Sequence, residues 1–134
     1  MKLGLVSSIL ADYTFEQLID CAAQYNMTCV EVACWPIGKA IRRYAGVTHI
    51  DVGTLTKEKA AYYRDYAAQR GVEISALAYY PNPMDADLEK RDFYTRHLYR
   101  VIDAAALMQV NRVTTFIGRD TTKCPEENIA LMLE

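Results

Sequence analysis

Short apolar runs alternate with longer amphipathic ones along this chain, and that alternation predicts βα units around a parallel sheet. Four short runs, at residues 3–6, 29–33, 72–78 and 113–116, read as strands. Each is rich in residues that suit a sheet and gives way to a polar or Gly/Pro-containing loop. The first helix is expected to begin at Thr14, an N-cap with Gln17 three residues on, and to lay Phe15, Leu18, Ile19 and Ala22 on one face. The second spans 56–70 and stops at Gly71, a natural C-terminal residue. The third, from Asp87, places Tyr94, Leu98, Val101, Ala105 and Met108 on one stripe. The fourth opens with Cys124-Pro125-Glu126-Glu127, a proline at the first helical position and acids in the first turn, and has barely formed when the chain ends at Glu134.

These units imply an α/β chain, with residues 1–134 as a single domain. Two connections, at residues 33–55 and 79–86, are too long for simple turns. Both follow strands, where the loops of parallel α/β folds build binding sites. About half the residues are hydrophobic (51%) and about a quarter charged (24%), the balance of a soluble globular domain. A formal charge of -2 without a basic run gives no footprint for nucleic acid. No stretch approaches the roughly 18 apolar residues of a membrane span, and Met1-Lys2-Leu3-Gly4-Leu5-Val6 is too short for the apolar region of a signal peptide, so a cytoplasmic location is expected. Cys21, Cys29, Cys34 and Cys124 show no paired CxxC spacing and read as reduced thiols. The first strand-to-helix turn, Val6 to Asp12, lacks the glycines of a dinucleotide fingerprint, and no phosphate-cradling Gly-rich loop with Lys-Ser/Thr occurs.

Candidate site residues therefore come from the strand exits. Trp35, past the second strand beside Pro36, either stacks on a ligand ring or packs beneath the long loop. Tyr79, Tyr80 and Asn82, past the third, offer hydroxyls and an amide to polyol oxygens, or belong to a Pro-rich turn. Phe116 and Arg119 end the fourth. Arg119 has a planar fork suited to an anion, but a pair with Asp120 is the favoured reading. Lys39, Arg42, Arg43 and His49 outnumber Asp51 in the long second loop, a local positive excess that suits a phosphate or an acid sugar, or is a solvated face. His97 lies inside an amphipathic helix and reads as structural. Glu31, within a strand, needs a partner inside the fold or an outward orientation. Cys124 is an ordinary cap residue or a thiol activated by the helix dipole.

The ordered segments KLGLVSSIL, VEVACWP, THIDV, ISALAYYPNP and VTTFIGRD are similar to the successive strand-and-loop motifs of the sugar phosphate isomerase/epimerase family of xylose isomerase-like barrels. The resemblance runs from Met1 to Glu134, and ISALAYYPNP and TFIGRD are its most specific pieces. It implies the first four units of a (β/α)8 TIM barrel, the N-terminal half. It further implies a parent enzyme that moves a proton through an enediolate on a divalent metal such as Mn or Mg. In that family carboxylates and a histidine on the later strands hold the metal, and two glutamates carry the proton. None of these maps onto a residue of this chain, so no catalytic or metal-ligating residue is assigned, and the chain alone is expected to be inactive and to hold no metal tightly. The implied partner is a small sugar or sugar phosphate. A dehydratase or lyase of the same barrel group, or a non-catalytic half-barrel, are the alternatives. Unpaired edges near Leu5 and Thr115 predict a homo-oligomer.

Overall fold

A computed structural model describes residues 1–38 and 44–133. Four parallel strands, β1 (Gly4–Val6), β2 (Cys29–Ala33), β3 (Glu73–Ala78) and β4 (Val113–Thr114), lie side by side in chain order. Helices α1 (Phe15–Gln24), α2 (Lys57–Gln69) and α3 (Leu88–Leu107) connect them, and α4 (Pro125–Met132) follows β4. β1 runs straight into a 3-10 turn over Ser7–Leu10 that the sequence pattern did not disclose.

The helix starts are set by side-chain chemistry. Thr14 and Gln17 form a reciprocal capping box, Thr56 accepts from the Lys59 amide, and Asp87 accepts from the amides of Glu89 and Lys90. α2 gives way to Gly71 at φ +69°, a left-handed turn that costs glycine nothing. The predicted stripes are the ones buried: Phe15, Ile19 and Ala22 of α1 meet Val101, Ala105 and Met108 of α3 in one core, with Tyr94 and Leu98 packed against it.

Val30, Val32 and Cys34 alternate into that core from β2, and Leu77 and Tyr79 enter it from the β3 end of the sheet. The sheet is thus covered by helices on one side, and its other face carries the alternate positions, Glu31 among them. At the entry to the sheet, β1 and β2 approach so closely that a Cβ on Gly4 would lie 2.4 Å from the Cys29 carbonyl oxygen. β4 is shorter than the expected 113–116 run. It pairs with β3 through Val113 and Thr114, and nothing lies on its far side among the described residues to draw residues 115–116 into a ladder. Burial pushes the Cys34 thiol up to about 12, so it behaves as a small apolar core residue.

Candidate functional site at the carboxyl-end rim

The loops leaving β2, β3 and β4 converge on a cavity of about 240 Å³ lined by Trp35, Tyr80, Pro81, Asn82, Tyr94 and Phe116, with Ala45 and Gly118 completing the wall. Four residues singled out from the sequence, Trp35, Tyr80, Asn82 and Phe116, therefore share one site. They meet because parallel strands deliver their following loops to one rim.

Trp35 is held by ring contacts beneath it. Tyr79 meets it edge-on at 5.0 Å between centroids, and His97 from α3 meets Tyr79 at 4.6 Å. Tyr79 itself is completely buried, below the site and not on its wall, and its hydroxyl has no hydrogen-bond partner among the described residues. Burial, and secondarily the nearby Tyr94, drive its phenol far above the ordinary tyrosine value. An orphaned buried hydroxyl carries a desolvation penalty of about 1–3 kcal/mol. Tyr79→Phe is accordingly expected to leave stability unchanged or raise it by up to about that amount; a drop in the thermal midpoint would mean that the hydroxyl has a partner.

Asn82 clamps the loop after β4. Its Oδ1 accepts from the Arg119 amide and its Nδ2 donates to the Arg119 carbonyl, both at 2.9 Å. The approach requires Gly118 at φ +77°, where a Cβ would sit 1.9 Å from Asn82 Oδ1. The expected pair of Arg119 with Asp120 is not formed. Asp120 is buried and turned inward, its Oδ1 accepting from the Thr122 hydroxyl at 2.6 Å and the Thr122 amide at 2.9 Å, with Lys123 3.9 Å from Oδ2. These Thr122 hydrogen bonds hold its carboxyl below the usual aspartate value. Arg119 is exposed and has no carboxylate partner among the described residues.

His49 also lies off the pocket wall, 8% exposed, at a junction of three elements. Its Nε2 lies 3.1 Å from the Leu10 carbonyl, which can only accept, so Nε2 carries the ring proton. Nδ1 then accepts from the Ser7 hydroxyl at 3.1 Å, and Ser7 Oγ in turn accepts from the Ala33 amide at 2.8 Å. The His49 amide closes the circuit on the Ala33 carbonyl at 2.9 Å. Ser7 escaped sequence reasoning; the one available signal was a polar residue directly at a strand exit. His97 donates from Nε2 to the Cys34 carbonyl at 2.8 Å, so both histidines brace the exit of β2 that presents Trp35.

Burial lowers the pKa of both rings, opposed by the carbonyls each ring touches. Above the ordinary histidine value of 6.5 the rings are neutral folded or unfolded. As pH falls below it, the unfolded chain takes up protons that the folded one refuses. Stability is therefore full above 6.5 and declines beneath it, by at most about 1.4 kcal/mol per pH unit for each histidine. Thermal melts between pH 7.5 and 5 should show this decline, and a His49→Gln/His97→Gln double variant should lose most of it. An equal slope in that variant would assign the effect to other groups.

Glu31 does have a partner inside the fold. The Tyr80 hydroxyl donates to its Oε1, and the Tyr80 ring lies 4.7 Å from that of Phe116. Of the positive loop residues, Lys39, Arg42 and Arg43 lie outside the described residues. Asp51 is occupied by the Gly53 amide at 2.9 Å and the Thr54 hydroxyl at 2.8 Å. Among the described residues no three His, Cys, Asp or Glu side chains come together in a way that could hold a metal ion, so this part of the fold does not fit the divalent metal that the family resemblance implies. Nor is any helix among them long and apolar enough to cross a membrane.

No family model matches the sequence, and no curated protein matches it. Solved structures do. A xylose isomerase-like protein from Rhodospirillum rubrum superposes with a TM-score of 0.67 at 19% identity, covering 98% of this chain and 46% of its own. A xylose isomerase domain protein from Planctomyces limnophilus gives 0.63 at 12% identity, covering 98% and 47%. The chain has the fold of half a TIM barrel, similar to these xylose isomerase-like structures. A D-psicose 3-epimerase, whose crystal structure was determined in the presence of D-fructose, gives 0.61 at 17% identity, covering 86% and 37%. The half-barrel thus spans about half the length of the structures it matches or less, in keeping with the N-terminal half.

Proposed function

We propose that this half-barrel is the N-terminal portion of a metal-dependent sugar or sugar-phosphate isomerase/epimerase, forming one domain that contributes the substrate-binding wall. The observation that carries the reading is the convergence of Trp35, Tyr80, Asn82 and Phe116 around one cavity at the rim where barrel enzymes bind ligands. Aromatic faces flanked by an amide and a phenol are suited to a sugar, whose ring presents C–H faces and a girdle of hydroxyls. The similarity to an epimerase structure obtained with D-fructose supports the same ligand class. Exposed Arg119, on the loop that Asn82 clamps, is the group available for a phosphate.

In this proposal the metal and the proton-moving glutamates belong to the complementary half of the barrel. The present residues bind, orient and exclude water, and the protein works in the cytoplasm. A dehydratase or lyase would use the same wall, because the reaction outcome is decided where the proton moves. Assayed alone with Mn²⁺ or Mg²⁺ and a panel of ketoses and ketose phosphates, the chain should show no turnover. Turnover abolished by Tyr80→Phe or Asn82→Ala would place chemistry in this half and defeat the proposal.

A further inference from the structure

We propose that Glu31 belongs to the ligand site, where its carboxylate, braced by Tyr80, accepts hydroxyl groups of an uncharged polyol. The inference rests on the sugar-binding reading above and deepens it. Glu31 sits between Val30 and Val32, both fully buried under the helices, so its side chain is on the opposite, helix-free face of the sheet. A carboxylate in the middle of a strand and partly withdrawn from water demands donors. Among the described residues it receives one, the Tyr80 hydroxyl on Oε1, and no Lys, Arg or His pairs with it.

The phenol is fixed at both ends. Its proton goes to Glu31, and its ring packs on Phe116 in the cavity wall. An ionised carboxylate offers about four lone-pair sites, so Glu31 keeps acceptor capacity directly behind Tyr80, whose ring lines the cavity. Sugar hydroxyls are donors of the required kind. A phosphate is not, because it brings charge of the same sign. The arrangement therefore selects a neutral ketose or polyol at this position and relegates any phosphate to the outer edge of the site.

The test is a titration of the ¹⁵N-labelled full chain with D-fructose and, separately, D-fructose 6-phosphate, followed by amide shifts. D-fructose is expected to move the signals of Glu31, Tyr80 and Phe116 and to bind more tightly there than its phosphate. Hydrogen bonds to a charged group are worth enough that Glu31→Gln should weaken fructose binding about tenfold or more. If Glu31→Gln fails to give a cooperative melt, Tyr80→Phe carries the comparison. It leaves the carboxylate in place but unbraced, and should weaken binding at least about threefold. Rim binding that the informative variant leaves within twofold, or tighter binding of the phosphate at these residues, would overturn the role of Glu31 while leaving the sugar-binding reading intact. Fructose shifts that avoid the rim altogether would overturn both.

Discussion

Sedimentation equilibrium at micromolar concentration is expected to report a dimer or larger species. β1 and β4 each pair on one side among the described residues, leaving two rows of backbone donors and acceptors open to another chain. The helix-free side of the sheet is uncovered there too, and Val6, Phe116 and Ile117 are 42%, 51% and 58% exposed near the strand exits. α4 adds Ile129 and Met132, and Leu133 follows just past its end, all exposed, on a helix with no fully buried side chain. Apolar patches of this kind mark association surfaces. A stable interface of ordinary size removes about 1,600 Å² from water, and two edges, an open face and an apolar helix supply the surface for it. A two-fold pairing is the simplest closed arrangement. A folded monomer at these concentrations, with a single cooperative melt, would refute the expectation.

Gly118→Ala should produce the largest single-site loss at the rim. Two penalties add: a left-handed backbone costs a non-glycine residue about 1–2 kcal/mol, and the new methyl collides with the Asn82 side chain, where overpacking typically costs about 1–3 kcal/mol. The Asn82 amide must leave, releasing both of its hydrogen bonds to Arg119. Destabilisation of about 2 kcal/mol or more is expected from the melt, together with faster exchange of the Arg119 amide. Asn82→Ala removes the clamp without the collision. In a double-mutant cycle the combined variant should therefore fall well short of additive, leaving chiefly the backbone term. Strict additivity would show that Gly118 and Asn82 act independently.

The features legible in the sequence were those written in local chemistry. Thr14 with Gln17, Gly71 after α2, and the Phe15–Ile19–Ala22 stripe are each specified within one or two helical turns, and the structure has them as expected. Trp35, Tyr80, Asn82 and Phe116 come together for a topological reason, since each follows a parallel strand, while Arg119, on the same loop as Phe116, does not line the cavity. What pairs across elements was not legible. Sequence neighbours suggested Arg119 with Asp120, whereas Asp120 spends its oxygen on Thr122 in a tight local turn. The partners of His49 come from positions 7 and 10, about forty residues earlier, and no spacing rule announces them. Tyr79 and Tyr80 are adjacent in sequence yet fall on opposite sides of the continuing strand, one into the core and one toward Glu31.

The attachment of α4 sets how order spreads through the rim. No side chain of the helix is fully buried, Leu131 is only half-covered, and its polar attachment runs through one residue. Asn128 accepts from the Asp120 amide at 2.7 Å and points its Nδ2 at the carbonyls of Asp120, Lys123 and Cys124 at 3.0, 3.2 and 3.0 Å. An element fastened this lightly is expected to open before the core does. Its fastening point, Asp120, immediately follows the residue gripped by Asn82, so residues 118–120 are shared between the helix anchor and the loop that lines the rim cavity. By linkage, a change that orders the 118–120 loop steadies α4, and one that steadies α4 orders the loop by the same factor.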